Sequence, residues 1–433
     1  MPELSVNPYK GTRDFYPEDK RIQNYMFQTM RNVAQSYGYE EYDAPLIEDY
    51  NLYAAKSGQE IVSEQTYTFV DRGGRKVAIR PEMTPSVSRM VARRRQELSY
   101  PLRLYSIPNL WRYERQQTGR FREHWQLNVD LFGLDSIQAD HEIINVADSI
   151  WQTFGAKRSM YQIKINNRKF INYVLSDYLK LNEDQSYKIC KLIDRFNKMP
   201  ISDFVSSVDE LISDKQRAFS VPEKLIEIIK VNNISQLPKT LQECPEITPI
   251  KDLLSLNAKS IPNMTFDGTI MRGFDYYTDT IFEVSDTNPN NNRSMMGGGR
   301  YNGLVGLFGV KPLPTIGFGL GDATLLNFLQ GHGLLPTIVS EVQVYVVYIG
   351  DTWRKSMEII KEFRSLGINI TEGDPSQKVG TQINNAVKKK IPYTLIIGEQ
   401  ELETNLFTLR NLDTSIEVKD SVTNLAQIIL NKS

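Results

Sequence analysis

From Phe121 to Leu131 polar and apolar side chains alternate without a break. Arg122, His124, Gln126, Asn128 and Asp130 fall on one face, and Phe121, Glu123, Trp125, Leu127, Val129 and Leu131 on the other. A period of two predicts a β-strand. Its mainly apolar face suits packing beneath helices, while its polar face suits either solvent or the floor of a cleft. Upstream, Leu110–Arg115 is also predicted to be extended, with Arg112 and Glu114 on a common face. Between the two, residues 116–120, with Gly119 for the turn, read as a hairpin loop carrying the cation Arg120. Such a strand pair can hold an anionic, polar substrate by charge-assisted hydrogen bonds.

The same reading extends along the chain. Ile22, Tyr25, Met26, Met30, Val33 and Tyr37 recur at helical spacing, and Gly38 is placed to stop that helix. An extended segment, Glu41–Glu48, follows and contains Pro45, as an edge strand can. Val77–Arg80 is predicted as a strand, and Thr84 as the N-cap of a helix from Pro85 to about Glu97. Glu82 then sits between a strand end and a helix start. A helix is expected from Asp140 to about Phe154. Residues 160–260 read mainly as short amphipathic helices (180–197, 222–229, 237–241) with Asn and Asp loops. Thr280–Val284 is an apolar strand, preceded by Arg272 and Gly273, where the glycine permits an irregular backbone. Gly297, Gly298 and Gly299 are expected to let the main chain approach a ligand. No Gly-Lys-Ser/Thr ending makes this a phosphate loop, and no strand leads into a GxGxxG. Thr315–Leu325 reads as a glycine-punctuated strand entering a helix. From Glu341 onward, strands at 342–349, 369–372, 393–397, 407–409 and 417–418 alternate with helices at 353–366, 379–389 and 421–430. That rhythm predicts a separate mixed α/β domain of about 95 residues.

Composition narrows the class. A chain of 433 residues is expected to form two or three domains. With 40% hydrophobic and 24% charged residues it reads as an ordinary globular protein. A formal charge of −1 provides no global basic field, but phosphate contacts need only local cations. Arg93–Arg95 and Lys388–Lys390 are such clusters, or else solvated helix faces. Cys190 and Cys244 match no disulfide framework or metal spacing, and with three histidines a zinc site is not expected. The N-terminal residues lack an apolar signal core and there is no apolar run near the ~18 residues a membrane span needs. A soluble, cytoplasmic protein is the expectation.

Three stretches carry a family resemblance. The segment WRYERQQTGRFREHWQ resembles motif 2 of class II aminoacyl-tRNA synthetases, most closely the histidyl-tRNA synthetases. MRGFDYYTDTIFE (271–283) and GGGRYNGL (297–304) resemble the two segments that set that branch apart. The resemblance implies an α+β fold: a class II antiparallel-sheet catalytic domain over 1–335, interrupted by a helical insertion at about 160–260. A C-terminal α/β anticodon-binding domain over 340–433 completes it, resembled by QKVGTQINNAVKKKIPYTLIIGEQE. The helix over 22–37 and the proline-containing extended segment 41–48 resemble motif 1, which implies a homodimer. The implied activity is ATP-dependent activation of L-histidine to histidyl-adenylate and its transfer to tRNA(His). Magnesium would accompany the ATP phosphates, with no protein metal site. By the same resemblance Arg112 and Arg272 are the catalytic cations, and Arg112, Glu114 and Arg120 hold ATP. Glu82, Thr84, Gln126, Asp130, Tyr276, Tyr277 and Tyr301 hold histidine. Asp130 stands where the family often has glutamate, and Thr324 where motif 3 usually has an arginine on the adenine. A histidine-binding regulatory paralogue of ATP phosphoribosyltransferase and a non-catalytic RNA-binding paralogue are the alternative readings.

Overall fold

The strand predicted from alternation runs from Glu123 to Phe132 and lies inside a nine-stranded sheet. In the computed structural model, which describes residues 4–55, 64–114, 120–271, 276–291 and 294–431, this central strand pairs antiparallel with Leu102–Ser106 on one side. On the other side it pairs with the glycine strand, Thr315–Gly321, also antiparallel. The sheet continues through Ser294–Arg300 and Thr280–Asp286 to Tyr161–Asn167. Among the described residues it is parallel only at its ends, where Glu40–Glu41 meets Leu102–Ser106 and Met264–Phe266 meets Tyr161–Asn167.

Leu127, Val129 and Leu131 of the central strand are buried in the main hydrophobic cluster. The helices Pro17–Ser36 and Ile137–Thr153 cover that face, contributing Met26, Met30 and Val33, and Ile143, Ile150 and Trp151. The first helix ends as expected, with Gly38 at φ +79°. A three-stranded sheet of Ile47–Asp49, Lys76–Ile79 and Thr68–Val70 lies outside the large sheet, so the predicted 41–48 extended segment divides between two sheets.

Several local expectations shift. The helix after Glu82 runs Thr84–Arg93, with Met83 in the cap position and no capping hydrogen bond. Thr84 is therefore the first helical residue and not its cap, and the helix stops short of Glu97. The predicted helical stretch of about 160–260 contains a sheet strand, Tyr161–Asn167, and also Thr248–Asn257, a helix that packs on Ile137–Thr153. Between them Glu183–Arg195, Ile201–Asp209 and Val221–Ile229 bury Ile189, Phe204, Val208 and Leu225 in the same cluster. The first of these starts at Glu183 and not at 180. Asn182 forms a capping box with Gln185, and Lys180 is left-handed at φ +58°. The expected ligand-approaching glycines 297–299 lie within a β-strand. A Cβ on Gly298 would come 2.2 Å from Gly317 O, and one on Gly299 2.5 Å from Thr280 O. Those two glycines answer to close strand packing.

By contact pattern the chain separates into Met1–Phe15 with Gln23–Leu335, and Tyr16–Ile22 with Pro336–Ser433. The second unit is a five-stranded sheet in the order Ile370–Glu372, Val344–Tyr348, Tyr393–Ile397, Phe407–Asn411 and Glu417–Asp420. Its first three strands are parallel. Val344–Tyr348 is buried on both faces, as parallel strands between helices are. Val344 and Val346 pack with the helices Met357–Ser365 and Val422–Leu430, while Tyr345 and Val347 pack with Ala386 of Val379–Lys388. No helix among the described residues is long and apolar enough to cross a membrane.

Arg300, at the end of its strand, clamps the large sheet to the helix over it. Its Nε donates to Asp140 Oδ1 at 2.9 Å, and both side chains are about 95% buried. Removing one partner of a buried ion pair leaves the other charge uncompensated. Arg300→Met is expected to lower unfolding stability by about 3–5 kcal/mol in urea titration. A loss below ~1 kcal/mol would show that the pair does not hold helix to sheet.

Candidate functional site

The polar face of the central strand opens onto a narrow cavity of about 60 Å³. Gln126, Asn128 and Asp130 form its floor. The neighbouring glycine strand makes that possible. Gly317 is in register with Asp130, and a Cβ there would lie 2.3 Å from Asp130 Oδ1. A Cβ on Gly319 would lie 2.6 Å from Gln126 Nε2. The remaining wall brings together segments distant in sequence: Glu82 and Thr84, then Tyr276 and Tyr277, then Tyr301. Tyr301 Oη donates to Asp130 Oδ1, and Tyr276 Oη donates to Glu82 Oε2 at 3.2 Å. The Tyr276 ring lies 5.0 Å from that of Tyr277 and 5.7 Å from that of Tyr301, centroid to centroid.

Burial dominates the electrostatics here. It pushes the Asp130 carboxyl up to about 7, against the downward pull of the Tyr301 hydroxyl. Asp130 Oδ2 is buried and makes no well-formed hydrogen bond among the described residues, although the nearby Tyr42 hydroxyl also draws the carboxyl's pKa down. The cavity thus presents an acceptor that a polar ring N–H would satisfy.

A second, larger cleft of about 310 Å³ adjoins it, and Arg112, Gln126, Gly297 and Gly319 line both. Arg112 is anchored by Nε, which donates to Pro81 O at 2.8 Å. Glu114 and Arg120 line the cleft and pair, Nη1 to Oε2, at 3.3 Å. Phe121, His124, Ala323 and Thr324 line the same cleft. Thr324 Oγ1 is turned back onto the backbone, donating to Gly321 O at 2.9 Å with Met295 O at 3.1 Å. A cation, a carboxylate and a second cation beside an apolar and aromatic wall make a receptacle suited to a nucleotide.

A family profile described as "Histidyl-tRNA synthetase" matches residues 11–325. The chain belongs to the histidyl-tRNA synthetase family. A profile described as "Anticodon binding domain" matches residues 343–432. A histidine–tRNA ligase of Leptospira biflexa is 44% identical over 415 residues, spanning 95% of this chain and 94% of the relative. One of Thermoplasma volcanium is 34% identical over 415 residues and 95% of each chain. The crystal structure of a histidyl-tRNA synthetase from Nostoc sp. PCC 7120 superposes with a TM-score of 0.82 over 100% of both chains. At 22% identity that likeness shows the fold, a class II sheet with a C-terminal α/β domain.

Seven residues singled out in this synthetase-family sequence, Glu82, Thr84, Gln126, Asp130, Tyr276, Tyr277 and Tyr301, line the smaller cavity together. Arg112, Glu114 and Arg120 line the larger one. Arg272 lies outside the described residues, as does Arg115. Leu110–Arg115 is not continuous strand: the strand is Asn109–Trp111, and Arg112–Glu114 follow irregularly. Two residues break the predicted alternation because they precede the strand proper. Arg122 faces the N-terminal segment, donating from Nη1 to Tyr9 Oη at 3.0 Å and stacking on Tyr113 at 4.0 Å. Phe121, expected on the core side, borders the cleft. His124 and Gly319 were not singled out as lining residues, although alternation had set His124 on the right face.

His124 is half-buried in the cleft wall, within electrostatic reach of Arg112 and Arg13. Burial first, then those two cations, bring its imidazole down to about 3. The native protein therefore refuses a proton that the unfolded chain accepts below about pH 6.5, so stability falls as pH drops from there toward 3. In urea titrations from pH 7 to 4, His124→Phe is expected to lose less stability than the parent. The gap should widen by about 1.4 kcal/mol per pH unit below 6.5. Parallel stability curves for the two proteins would contradict a buried neutral imidazole.

Proposed function

We propose that this chain activates L-histidine with ATP and transfers it to tRNA(His), and that the two adjoining cavities divide the work. The carrying observation is that the smaller polar cavity and the larger cleft share Arg112 and Gln126. A histidyl-adenylate, with imidazole at one end and adenine at the other, fits that arrangement.

In this reading the amino acid's carboxylate oxygen attacks the α-phosphorus of ATP, a P–O bond to histidine forms, and pyrophosphate departs. Two anions must be brought together, so positioning and charge stabilisation carry the catalysis. Arg112 at the junction would hold the α-phosphate, and Arg272 would bring the second cation. Glu114 would accept from the adenine edge and Arg120 would reach the outer phosphates. Magnesium would arrive on the ATP phosphates, as part of the substrate.

Glu82 and Thr84 would receive the α-amino group. Asp130, Gln126 and Tyr277 would face the imidazole, with Tyr276 and Tyr301 closing the walls. A site of buried donors and acceptors rejects apolar amino acids, because they leave those groups unpaired. The shorter Asp130 in place of glutamate fits a strand set close to the ring by Gly317 and Gly319. Binding through the C-terminal unit to the tRNA anticodon arm, assembly as a homodimer through the motif 1 segment, and a cytoplasmic location complete the proposal. The catalytic domain would span 1–335 and the anticodon-binding domain 340–433.

Histidine-dependent ATP–pyrophosphate exchange is the test. We expect exchange with histidine and none above background with leucine or glutamine. Gly319→Ala should raise the KM for histidine at least tenfold while leaving the thermal midpoint within a few degrees. Its Cβ would meet the amide end of Gln126 at 2.6 Å, so that side chain must shift from its place in the pocket. Exchange indifferent to histidine would favour a non-catalytic paralogue.

A further inference from the structure

Behind the wall of the nucleotide cleft stands a cation from an unexpected quarter, in contact with two residues that line it. Arg13 belongs to the N-terminal segment, yet its Nη2 donates to Asp322 Oδ2 at 2.7 Å across 309 residues of sequence. Asp322 is buried at the start of the helix Asp322–Gly331 and lines the cleft. Its other oxygen accepts from Trp125 N at 3.1 Å, which ties the pair to the central strand. Held this way, the Arg13 guanidinium lies 4.2 Å from the centroid of the Phe121 ring, and Phe121 lines the cleft beside His124. Arg13 Nε is buried with no hydrogen-bond partner among the described residues. On the same helix as Asp322, Thr324 is short, uncharged and bonded to the backbone, so the helix itself presents no cation to a base.

We propose that Arg13, clamped by Asp322 and stacked on Phe121, supplies the nucleobase-side cation of the ATP cleft and positions the Phe121 ring as the purine's platform. The inference rests on reading this cleft as the ATP site. A guanidinium plane against a ring fixes that ring's orientation and adds positive potential where the electron-rich base settles. Arg13 acts through Phe121 and is a positioning residue, so its contribution belongs to binding of the base and not to the phosphates or to histidine.

The test uses the full chain carrying Arg13→Met together with Asp322→Asn, which removes both charges and leaves neither buried alone. In pyrophosphate exchange the KM for ATP should rise roughly tenfold. The kcat and the KM for histidine should stay within about threefold. Competitive inhibition by adenosine should weaken in parallel with the ATP effect, while inhibition by tripolyphosphate stays unchanged. Adding Thr324→Arg should restore much of the adenosine affinity by supplying a cation from the start of that helix. Phe121→Leu, which leaves the Arg13–Asp322 pair intact, should show the same adenosine-specific loss should the charge-removal variant not fold. Unchanged adenosine inhibition in either variant overturns the inference, as does an equal weakening of tripolyphosphate, which would place Arg13 on the phosphates. A parent protein whose exchange and adenosine binding are both absent would instead remove the ATP reading, and the inference with it.

Discussion

A strand inside a sheet rarely carries a buried row of polar side chains, because unpaired polar groups are costly away from water. Here Gln126, Asn128 and Asp130 do so, and the constraint that permits it is the absence of side chains on the adjacent strand. Gly317 and Gly319 leave open the volume that Asp130 and Gln126 occupy. Any larger residue at Gly317 would meet Val129 O at 2.6 Å as well as the carboxylate, so the cavity and the strand register depend on the same atoms. The neighbouring strand continues the theme at Gly298, whose missing side chain lets Gly317 and Phe318 approach.

The opposite face supplies the rigidity. Leu127, Val129 and Leu131 are fully packed beneath the helices Pro17–Ser36 and Ile137–Thr153, and the Arg300–Asp140 pair fastens the second helix to the sheet. A polar floor on so stiff a support has its groups positioned before a ligand arrives, which is how electrostatic stabilisation acts without reorganisation. Asp130 is the sensitive point: burial holds it near neutrality, about 7, and Tyr301 fixes the direction of one oxygen.

Alternation made the central strand legible, and with it the floor residues Gln126, Asn128 and Asp130. It failed at Phe121 and Arg122 because regular strand begins only at Glu123, and period-two reasoning has no force outside a strand. The triple glycine was legible as close approach but not as approach to what; its partners, Gly317 and Thr280, are known only once strand order is known. The strand Tyr161–Asn167 did carry a signal, with Tyr161, Ile163 and Ile165 alternating against Gln162 and Lys164, but the helices following it dominated the reading. Thr84 looked like a cap because its residue type favours one, while the backbone places it one residue inside the helix. Arg13 and Arg300 were invisible for a simpler reason. Their meaning lies in Asp322 and Asp140, 309 and 160 residues away, and one sequence alone contains no record of that proximity.

In the proposed reaction two adjoining cavities would hold the two ends of one molecule, with Arg112 at the join. A crystal structure with a non-hydrolysable histidyl-adenylate analogue tests this most directly. The imidazole is expected within hydrogen-bond distance of Asp130 in the smaller cavity, the adenine beside Phe121, and the bridging phosphate group on Arg112. An analogue bound with its imidazole away from Asp130, or with Arg112 remote from the bridging group, would contradict it.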